Sequence, residues 1–296
     1  MNRAPALWPV DPDDPRAPTA EIWEQLTPEQ RREIVDSLPS EFPLDEAAPP
    51  EGDPHWHPVT RARTTLDRWF RRAGRRVYVS GNLAVYYPGE RVFSPDVIAV
   101  VDVETHERDR WVVSDEGKGL DFALEVIVRG RRRKDLQRNV EWFARLGIPE
   151  YFVYDRKRGS LRGFRLASSA AKAYEPVIPQ RGHYASRVLG LDLVIEGGRL
   201  RFYAGEAAIP DTDELLDKLG ALVDAAEQRA HELEMRLDEE ARAREEEARA
   251  REEEARAREE EARAREEEAR AREKAERQLA EVMAELERLR RERGGD

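Results

Sequence analysis

Two acidic residues, Asp96 and Glu125, lie inside short apolar runs of a stretch that extends over residues 94–155. The run from Val97 to Val101 is rich in β-branched residues, which predicts a buried strand, and a second strand is predicted to end near Ile127. An isolated charge is costly to bury among apolar side chains. The two acids are therefore most easily explained if they hold a cation together.

The elements predicted around these strands indicate an α/β fold. A basic turn after Glu125 leads into a helix from about Arg133 to Leu146, which Gly147 closes, and a strand follows from Tyr151 to Tyr154. Upstream, the helical spacing of apolar residues predicts a helix from Val59 to Ala73. Further strands are predicted at 76–80, 82–87, Trp111 to Val113, Leu161 to Leu166, Leu191 to Ile195 and Leu200 to Tyr203. This order predicts a mixed sheet with helices packed against it.

The N-terminal segment, residues 1–54, is predicted to be an extension without a core of its own. Residues 1–18 are rich in Pro and Asp, which favours a lack of order. Helical structure is predicted from Thr19 to Leu38, with a second helix starting at the capping box of residues 27–30. The six prolines of residues 39–58 predict an extended wrap or linker. Because the segment is short and polar, we expect it to pack on the main domain.

A charged heptapeptide, Glu-Glu-Ala-Arg-Ala-Arg-Glu, recurs from Glu240 to Glu273 within a predicted C-terminal helix, residues 209–296. Ala and Arg make a poor coiled-coil seam. Pairs at i,i+4 such as Glu245 with Arg249 and Glu247 with Arg251 each contribute about 0.3 kcal/mol to a single solvated helix.

The two flanks of this repeat differ from it, because they carry apolar residues at coiled-coil spacing. These residues are Leu216, Leu219, Val223, Ala226, Ala230, Leu233 and Leu237 in the first flank, and Leu279, Val282, Leu286 and Leu289 in the second. Self-association through the two seams into a coiled coil is the favoured hypothesis. A monomeric helical arm of about 120 Å is the alternative.

Charge and composition limit the class of function. The formal net charge is −11, yet residues 55–210 carry 28 basic and 19 acidic side chains. A basic central domain, predicted over residues 55–208, is compatible with a polyanion partner, and a solvated basic surface is the alternative. The absence of cysteine excludes disulfides, thiolate catalysis and cysteine-ligated zinc. No apolar run reaches the roughly 18 residues of a membrane span and no signal peptide is recognised, so we expect a cytoplasmic protein.

Asp96 and Glu125, with basic residues close behind them, are the side chains that a metal-dependent phosphodiesterase needs. Carboxylates suit Mg²⁺ or Mn²⁺, which polarise a phosphate and activate a bound water, and a nearby Lys or Arg would stabilise the developing charge. The alternative is a pair of ion-paired carboxylates at strand ends. The densest cluster of basic residues follows Glu125 and consists of Arg129, Arg131, Arg132, Arg133 and Lys134. These residues either contact phosphates or form a solvated turn.

Four segments of this stretch follow one another in a recognisable order. They are Ser94-Pro95-Asp96-Val97, Leu124-Glu125-Val126, Arg133-Lys134-Asp135-Leu136 and the run from Phe143 to Asp155. This order resembles the Uma-two family, bacterial restriction-endonuclease-like proteins of the PD-(D/E)XK nuclease superfamily. The resemblance covers roughly residues 58–205. It implies the restriction-endonuclease-like sheet, Asp96 and Glu125 as ligands of Mg²⁺ or Mn²⁺, and DNA as the substrate.

The chain departs from the family pattern at three positions. The superfamily motif has a Lys two residues after the Glu, where this chain has Ile127, and the family's common Ser one residue further on is Val128. The family usually supplies a Lys from the following helix, and that position is Asn139. Because Asn takes no proton, we expect Lys134 or Arg138 to replace the missing catalytic Lys. Arg138 stays protonated and would act only as an electrostatic stabiliser.

Other motifs give weaker indications. His55 and His57 flank Trp56, and on a strand both would share one face as metal ligands, but a surface role is the favoured interpretation in a Pro-rich stretch. The sequence contains no signature of a serine hydrolase, a P-loop NTPase or a dinucleotide-binding fold.

Two hypotheses about function follow. The first is a Mg²⁺-dependent endonuclease that acts on DNA and is carried on a helical arm that forms homo-oligomers. The second is a catalytically degenerate nuclease-fold protein that acts as a DNA-binding or coiled-coil scaffold. Asn139 favours the second hypothesis, and the presence of both acids favours the first.

Overall fold

A computed structural model of the chain describes residues 8–41, 52–128 and 134–293. It comprises two compact units, residues 1–217 and residues 218–296. The predicted division into three parts, at residues 54 and 208, remains a prediction.

The helices and strands of the larger unit alternate along the chain. The helical elements are α1 (Ala20–Glu24), α2 (Pro28–Ser37), α3 (Asp53–Arg72), α4 (Val113–Glu116), a π-helical turn (Lys134–Arg138) and α5 (Asn139–Leu146). The strands are β1 (Val77–Ser80), β2 (Ala84–Tyr86), β3 (Val97–Val101), β4 (Arg110–Val112), β5 (Phe122–Ile127), β6 (Glu150–Asp155), β7 (Ser160–Leu166), β8 (Tyr174–Val177), β9 (Tyr184–Ser186), β10 (Leu191–Glu196), β11 (Arg199–Ala204) and β12 (Ala207–Ala208). A last helix, α6 (Thr212–Arg293), begins in this unit and continues through the second.

The centre of the larger unit is a six-stranded sheet in the order β1-β3-β5-β6-β7-β8. The strands β3, β5 and β6 are buried almost throughout, as their nearly continuous apolar sequences require. β5 and β6 are parallel and are joined through α5, whereas the other neighbours in the sheet are antiparallel. The prediction of a mixed sheet flanked by helices and followed by a long C-terminal helix is confirmed.

Helices cover the two faces of this sheet. On one face, Leu66 of α3 packs in the same apolar core as Leu124 of β5. On the other face, Phe143 of α5 packs in a second core with Ala123. Successive residues of a strand point to opposite faces, so Glu125 belongs to the face that α5 covers.

Two smaller sheets complete the larger unit. The strands β9 to β12 form a four-stranded sheet in the order β12-β11-β10-β9, and its residues Leu193 and Phe202 join the core on the α3 side. The predicted strand from Trp111 to Val113 was expected to continue the main sheet, and this is wrong. It forms β4, which pairs in parallel with β2, and Val113 already begins α4. Both edges of β3 are taken by β1 and β5, so that strand has no edge left for β4.

The described part of the N-terminal segment, residues 8–41 and 52–54, packs on the rest of the larger unit, as expected. Ala17 and Leu38 are each 1% exposed and lie in an apolar cluster with Tyr86. The expected lack of order over residues 1–18 is wrong for its last part, because the N–H of Val92 donates to the Pro15 carbonyl at 3.1 Å and fixes that part to the domain. Residues 1–7 and 42–51 lie outside the described residues.

The predicted capping box at the start of α2 is present. Thr27 accepts a hydrogen bond from the N–H of Gln30 at 3.3 Å, and the Gln30 side chain accepts one from the N–H of Thr27 at 2.8 Å. Two otherwise unpaired N–H groups are satisfied, which explains why a separate helix begins here.

The second unit consists of the rest of α6. The predicted i,i+4 pairs are present, with Arg249 donating to Glu245 at 2.7 Å and Arg251 donating to Glu247 at 2.6 Å. Within this unit the apolar side chains of the flanks are exposed, as at Leu237 with 57% and Leu279 with 64%. None of the helices among the described residues combines the length and the apolar character that crossing a bilayer requires.

Candidate active site

Asp96 and Glu125 lie opposite each other at one end of the central sheet. Val97 pairs with Leu124 in the antiparallel strands β3 and β5, and the same register places Asp96 across from Glu125. The backbone N–H of Val126 donates to Asp96 Oδ2 at 2.7 Å. Asp96 is 9% exposed and Glu125 is 8% exposed. The structure therefore brings together the two acids that the sequence singles out.

His55 contacts the same carboxylate oxygen. Its Nε2 lies 3.0 Å from Asp96 Oδ2. The interpretation of His55 as a surface residue is wrong, because α3 begins at Asp53 rather than at Val59 and its first turns bring the ring to Asp96. Pro54 could have indicated that the helix starts here, since proline is favoured at the first helical position.

His57 does not share a face with His55. The two residues lie in a helix, where side chains at i and i+2 point in different directions, so the alternative of a strand face shared by both does not apply. His57 is exposed, in agreement with the favoured surface interpretation. His57 lines a pocket beside Arg61 and Arg156 instead.

The position of the first turns of α3 depends on Arg156, which follows β6. Pro58 lies inside α3 and has no N–H, so it cannot donate to the carbonyl of Pro54 four residues earlier. The guanidinium of Arg156 donates to that carbonyl. A second carbonyl, that of Asp53, lies 3.5 Å from the same nitrogen. Arg156 thus anchors the turn that carries His55.

Asn139 supports the second carboxylate. It is 2% exposed, and its Nδ2 donates to Glu125 Oε1 at 3.4 Å. The position at which the family usually supplies a Lys is therefore occupied by a neutral donor, which orients Glu125 but carries no charge.

Gly81 lies against the backbone of Asp96. A Cβ added to Gly81 would be 2.5 Å from the carbonyl oxygen of Asp96, closer than packed atoms approach. The next residue, Asn82, donates its N–H to the Pro95 carbonyl at 3.3 Å. The chain after β1 can approach the site this closely only because residue 81 has no side chain.

The predicted phosphate contacts are described only in part. Arg129, Arg131, Arg132 and Arg133 lie outside the described residues, and so does the side chain of Lys134. The backbone of Lys134 begins the π-helical turn, and Arg138 is exposed at its end, next to Asn139.

Asp96 and Glu125 are the carboxylates that would hold a divalent cation. Among the described residues no three His, Asp or Glu side chains are grouped to hold a metal ion. Mg²⁺ is commonly bound by one or two carboxylates, with waters and substrate phosphates as the remaining ligands. Within the described part of the chain Asp96 Oδ1 makes no hydrogen bond, since both contacts of this carboxylate are to Oδ2. The pair of acids therefore fits a hard cation that keeps part of its water.

A mixed sheet between helices, with two opposed carboxylates at its end, is the arrangement that the resemblance to restriction-endonuclease-like proteins implies. The chain belongs to the Uma2 family, which is the Uma-two family that its four sequence segments resemble. The model of this family is described as "Putative restriction endonuclease" and matches residues 44–196. The predicted family is confirmed. No curated protein matches the chain.

Solved structures are similar to part of the chain. One of them is the crystal structure of "a putative nuclease belonging to DUF820" from Anabaena variabilis ATCC 29413. The two sequences are 10% identical, the match covers 47% of this chain and 74% of that chain, and the TM-score is 0.34.

Proposed function

We propose that the larger unit is a metal-dependent endonuclease that hydrolyses phosphodiester bonds of DNA at Asp96 and Glu125. The observation that carries this proposal is the opposed, nearly buried carboxylate pair in a chain of the Uma2 family. Carboxylate oxygens are the ligands that Mg²⁺ and Mn²⁺ prefer. The cytoplasm supplies both DNA and Mg²⁺, which is why we place the protein there.

In this proposal Asp96 and Glu125 hold Mg²⁺ or Mn²⁺ through carboxylate oxygens. When bound, such a cation polarises the phosphate and makes a bound water more acidic. His55 and the N–H of Val126 fix Asp96 Oδ2, which leaves Oδ1 to face the ligand. Asn139 orients Glu125. The protein therefore positions both carboxylates before any ligand arrives.

Basic residues after β5 are proposed to contact the DNA. Arg138 lies one residue before Asn139 and is exposed, so its charge is available to a phosphate near Glu125. Lys134, as the substitute for the missing Lys, and the cluster Arg129, Arg131, Arg132 and Arg133 would bind neighbouring phosphates of the same substrate.

The test is cleavage of supercoiled plasmid with Mg²⁺ or Mn²⁺ by the full chain. We expect nicked and linear products from the wild type and a loss of at least about 100-fold in Asp96→Ala and Glu125→Ala, because one carboxylate alone holds the cation poorly. A matched control is Asp109→Ala, which removes an exposed carboxylate between β3 and β4. Equal cleavage by wild type and both site variants would overturn the proposal.

A second candidate function is favoured by Asn139, whose neutral amide bonds Glu125. A protein without the charged group would bind DNA, or act as a scaffold, without cutting it. Asn139→Lys discriminates the two functions, with Asn139→Ala as its control. Cleavage that appears only in Asn139→Lys would show that the natural protein is degenerate, whereas cleavage by the wild type establishes the nuclease.

We further propose that copies of the chain associate through the apolar flanks of α6. In the second unit Val223, Leu233 and Val282 are 47%, 59% and 54% exposed. Exposed apolar residues that form a continuous stripe mark an interaction surface. The residues recur at heptad spacing, so two helices could bury them against each other.

A further inference from the structure

A pocket of about 410 Å³ opens beside the first turns of α3. The cationic side chains that line it come from three elements: Arg61 and His57 from α3, Arg156 from the end of β6, and Arg199 from the start of β11. The proposed cleavage of DNA involves the carboxylates and the turn after β5. It assigns no ligand to this pocket.

The pocket carries an excess of positive charge. Arg61 is paired with Asp211 at 3.0 Å and with Asp213 at 3.1 Å, and Asp213 also lines the pocket. Arg156 and Arg199 are exposed, and neither makes an ion pair within the described part of the chain. Two guanidinium charges therefore face the pocket without a carboxylate of their own.

The backbone of the pocket is also open to a ligand. Gly197 and Gly198, with φ of 57° and 74°, form the turn between β10 and β11, and no atom lies within 4 Å of the place where either Cβ would be. Tyr154 fixes this turn by donating its hydroxyl to the Gly198 carbonyl at 2.6 Å. Burial raises the pKa of Tyr154, so the hydroxyl stays a donor at neutral pH. A bulky anion can approach the turn without meeting a side chain.

The pocket and the carboxylates share the same part of α3. His57 lines the pocket and His55, two residues earlier, contacts Asp96. Arg156 lines the pocket and also anchors Pro54. The pocket and Asp96 are therefore both in contact with the first turns of α3, so a single DNA strand can contact both.

We infer that this pocket binds a phosphate group of the DNA strand next to the phosphate at Asp96 and Glu125. Planar guanidinium groups match phosphate oxygens in pairs, and arginine is the residue most used for this contact. The inference rests on the proposed function, since it names where the substrate of that site is held. The phosphate is either internal to the strand or a 5′-terminal group, and both have the same recognition chemistry.

The test is binding of fluorescent 20-base-pair duplexes, with and without a 5′-phosphate, to the full chain by anisotropy, with Ca²⁺ in place of Mg²⁺ to slow cleavage. We expect Arg199→Ala to bind roughly five- to tenfold more weakly and to lower the slope of log K against log salt by about one, as loss of one phosphate contact does. The control is Arg145→Ala, an exposed arginine at the far end of α5 that does not line this pocket. We expect it to bind as the wild type does.

The outcomes separate the two proposals. If Arg199→Ala and Arg145→Ala bind DNA equally well, the pocket does not bind a phosphate. The proposal of a nuclease is not affected by this result. Binding with the expected loss in Arg199→Ala, but without cleavage in Mg²⁺, supports the pocket and contradicts the nuclease. No binding of either duplex by the wild type overturns both. A loss in Arg199→Ala only for the 5′-phosphorylated duplex assigns the pocket to strand ends, and a loss for both assigns it to internal phosphates.

Discussion

At the scale of single residues, the candidate site is a carboxylate held by distant parts of the chain. Asp96 receives the N–H of Val126 and the ring of His55, and its backbone lies against Gly81. A buried carboxylate is tolerated when it is paired or hydrogen-bonded. The precision of the site therefore depends on residues that perform no chemistry themselves.

Gly81→Ala tests this dependence. The added Cβ would meet the Asp96 carbonyl at 2.5 Å, so the backbone at the site must shift. We expect the free energy of unfolding to fall by about 1–3 kcal/mol and plasmid cleavage to fall about tenfold or more, measured by urea denaturation and gel assay. Ser80→Ala, one residue earlier, is the control and should leave both quantities near those of the wild type. Unchanged cleavage in Gly81→Ala would show that the backbone of Asp96 does not need this close approach.

At the scale of elements, a hydrogen bond that is missing within α3 is supplied by a residue at the end of β6. Its internal Pro58 leaves the Pro54 carbonyl without its helical donor, and Arg156 at the end of β6 supplies one. The helix α3, which carries His55, is thus fixed to β6. β6 is the neighbour of β5 in the sheet, and β5 carries Glu125.

A double-mutant cycle measures this link. Arg156→Ala should lower the free energy of unfolding by about 1 kcal/mol, because a hydrogen bond to a carbonyl is lost. In a Pro58→Ala background the alanine N–H can donate to Pro54, so the cost of Arg156→Ala should fall by about 0.5 kcal/mol or more. Urea denaturation of the four proteins gives the coupling. Lys157→Ala, the exposed neighbour, is the control and should cost the same small amount in both backgrounds. A coupling of zero would contradict the role given to Arg156.

At the scale of the whole molecule, buried tyrosines limit the pH range of stability. Burial raises the pKa of Tyr86 to about 12, and its hydroxyl donates to the Pro39 carbonyl at 2.6 Å. Burial also raises the pKa of Tyr87 and of Tyr174. An unfolded tyrosine ionises at a pKa of about 10. The folded state therefore keeps protons that the unfolded state releases, which favours unfolding in alkali.

We expect the free energy of unfolding to be constant with respect to these tyrosines below pH 10 and to fall as pH rises toward about 12, the pKa of Tyr86. Urea denaturation at a series of pH values, followed by tryptophan fluorescence, measures the slope. Tyr86→Phe should be less stable near neutral pH, because the bond to Pro39 is lost, but its stability should fall less steeply above pH 10. An equal slope in both proteins would contradict the assignment to Tyr86.

Self-association is tested at the same scale by sedimentation equilibrium of the full chain. We expect a dimer or larger species in the wild type and a shift toward monomer in Val282→Glu combined with Leu286→Glu, because charged groups in a seam oppose its burial. Gln228→Glu combined with Gln278→Glu adds the same charge at polar positions and should leave the mass unchanged. A monomeric wild type would favour the single helical arm.

The sequence predicted those parts of the protein that depend on neighbouring residues. The apolar runs of β3 and β5, the capping box of α2 and the Glu–Arg spacing of the arm each depend on interactions within a few residues. The proximity of Asp96 to Glu125 could also be predicted from the sequence, because both lie in apolar runs where an isolated charge is costly to bury.

Only the tertiary structure showed how the site is supported. His55 contacts Asp96 across 41 positions of the chain, and the contact of Arg156 with Pro54 spans 102 positions, so no local pattern signals either one. The same holds for β4, whose sequence predicts a strand but whose sheet depends on which edges other strands have occupied. Local propensity determines where strands and helices form, and the competition among distant partners determines which side chains meet.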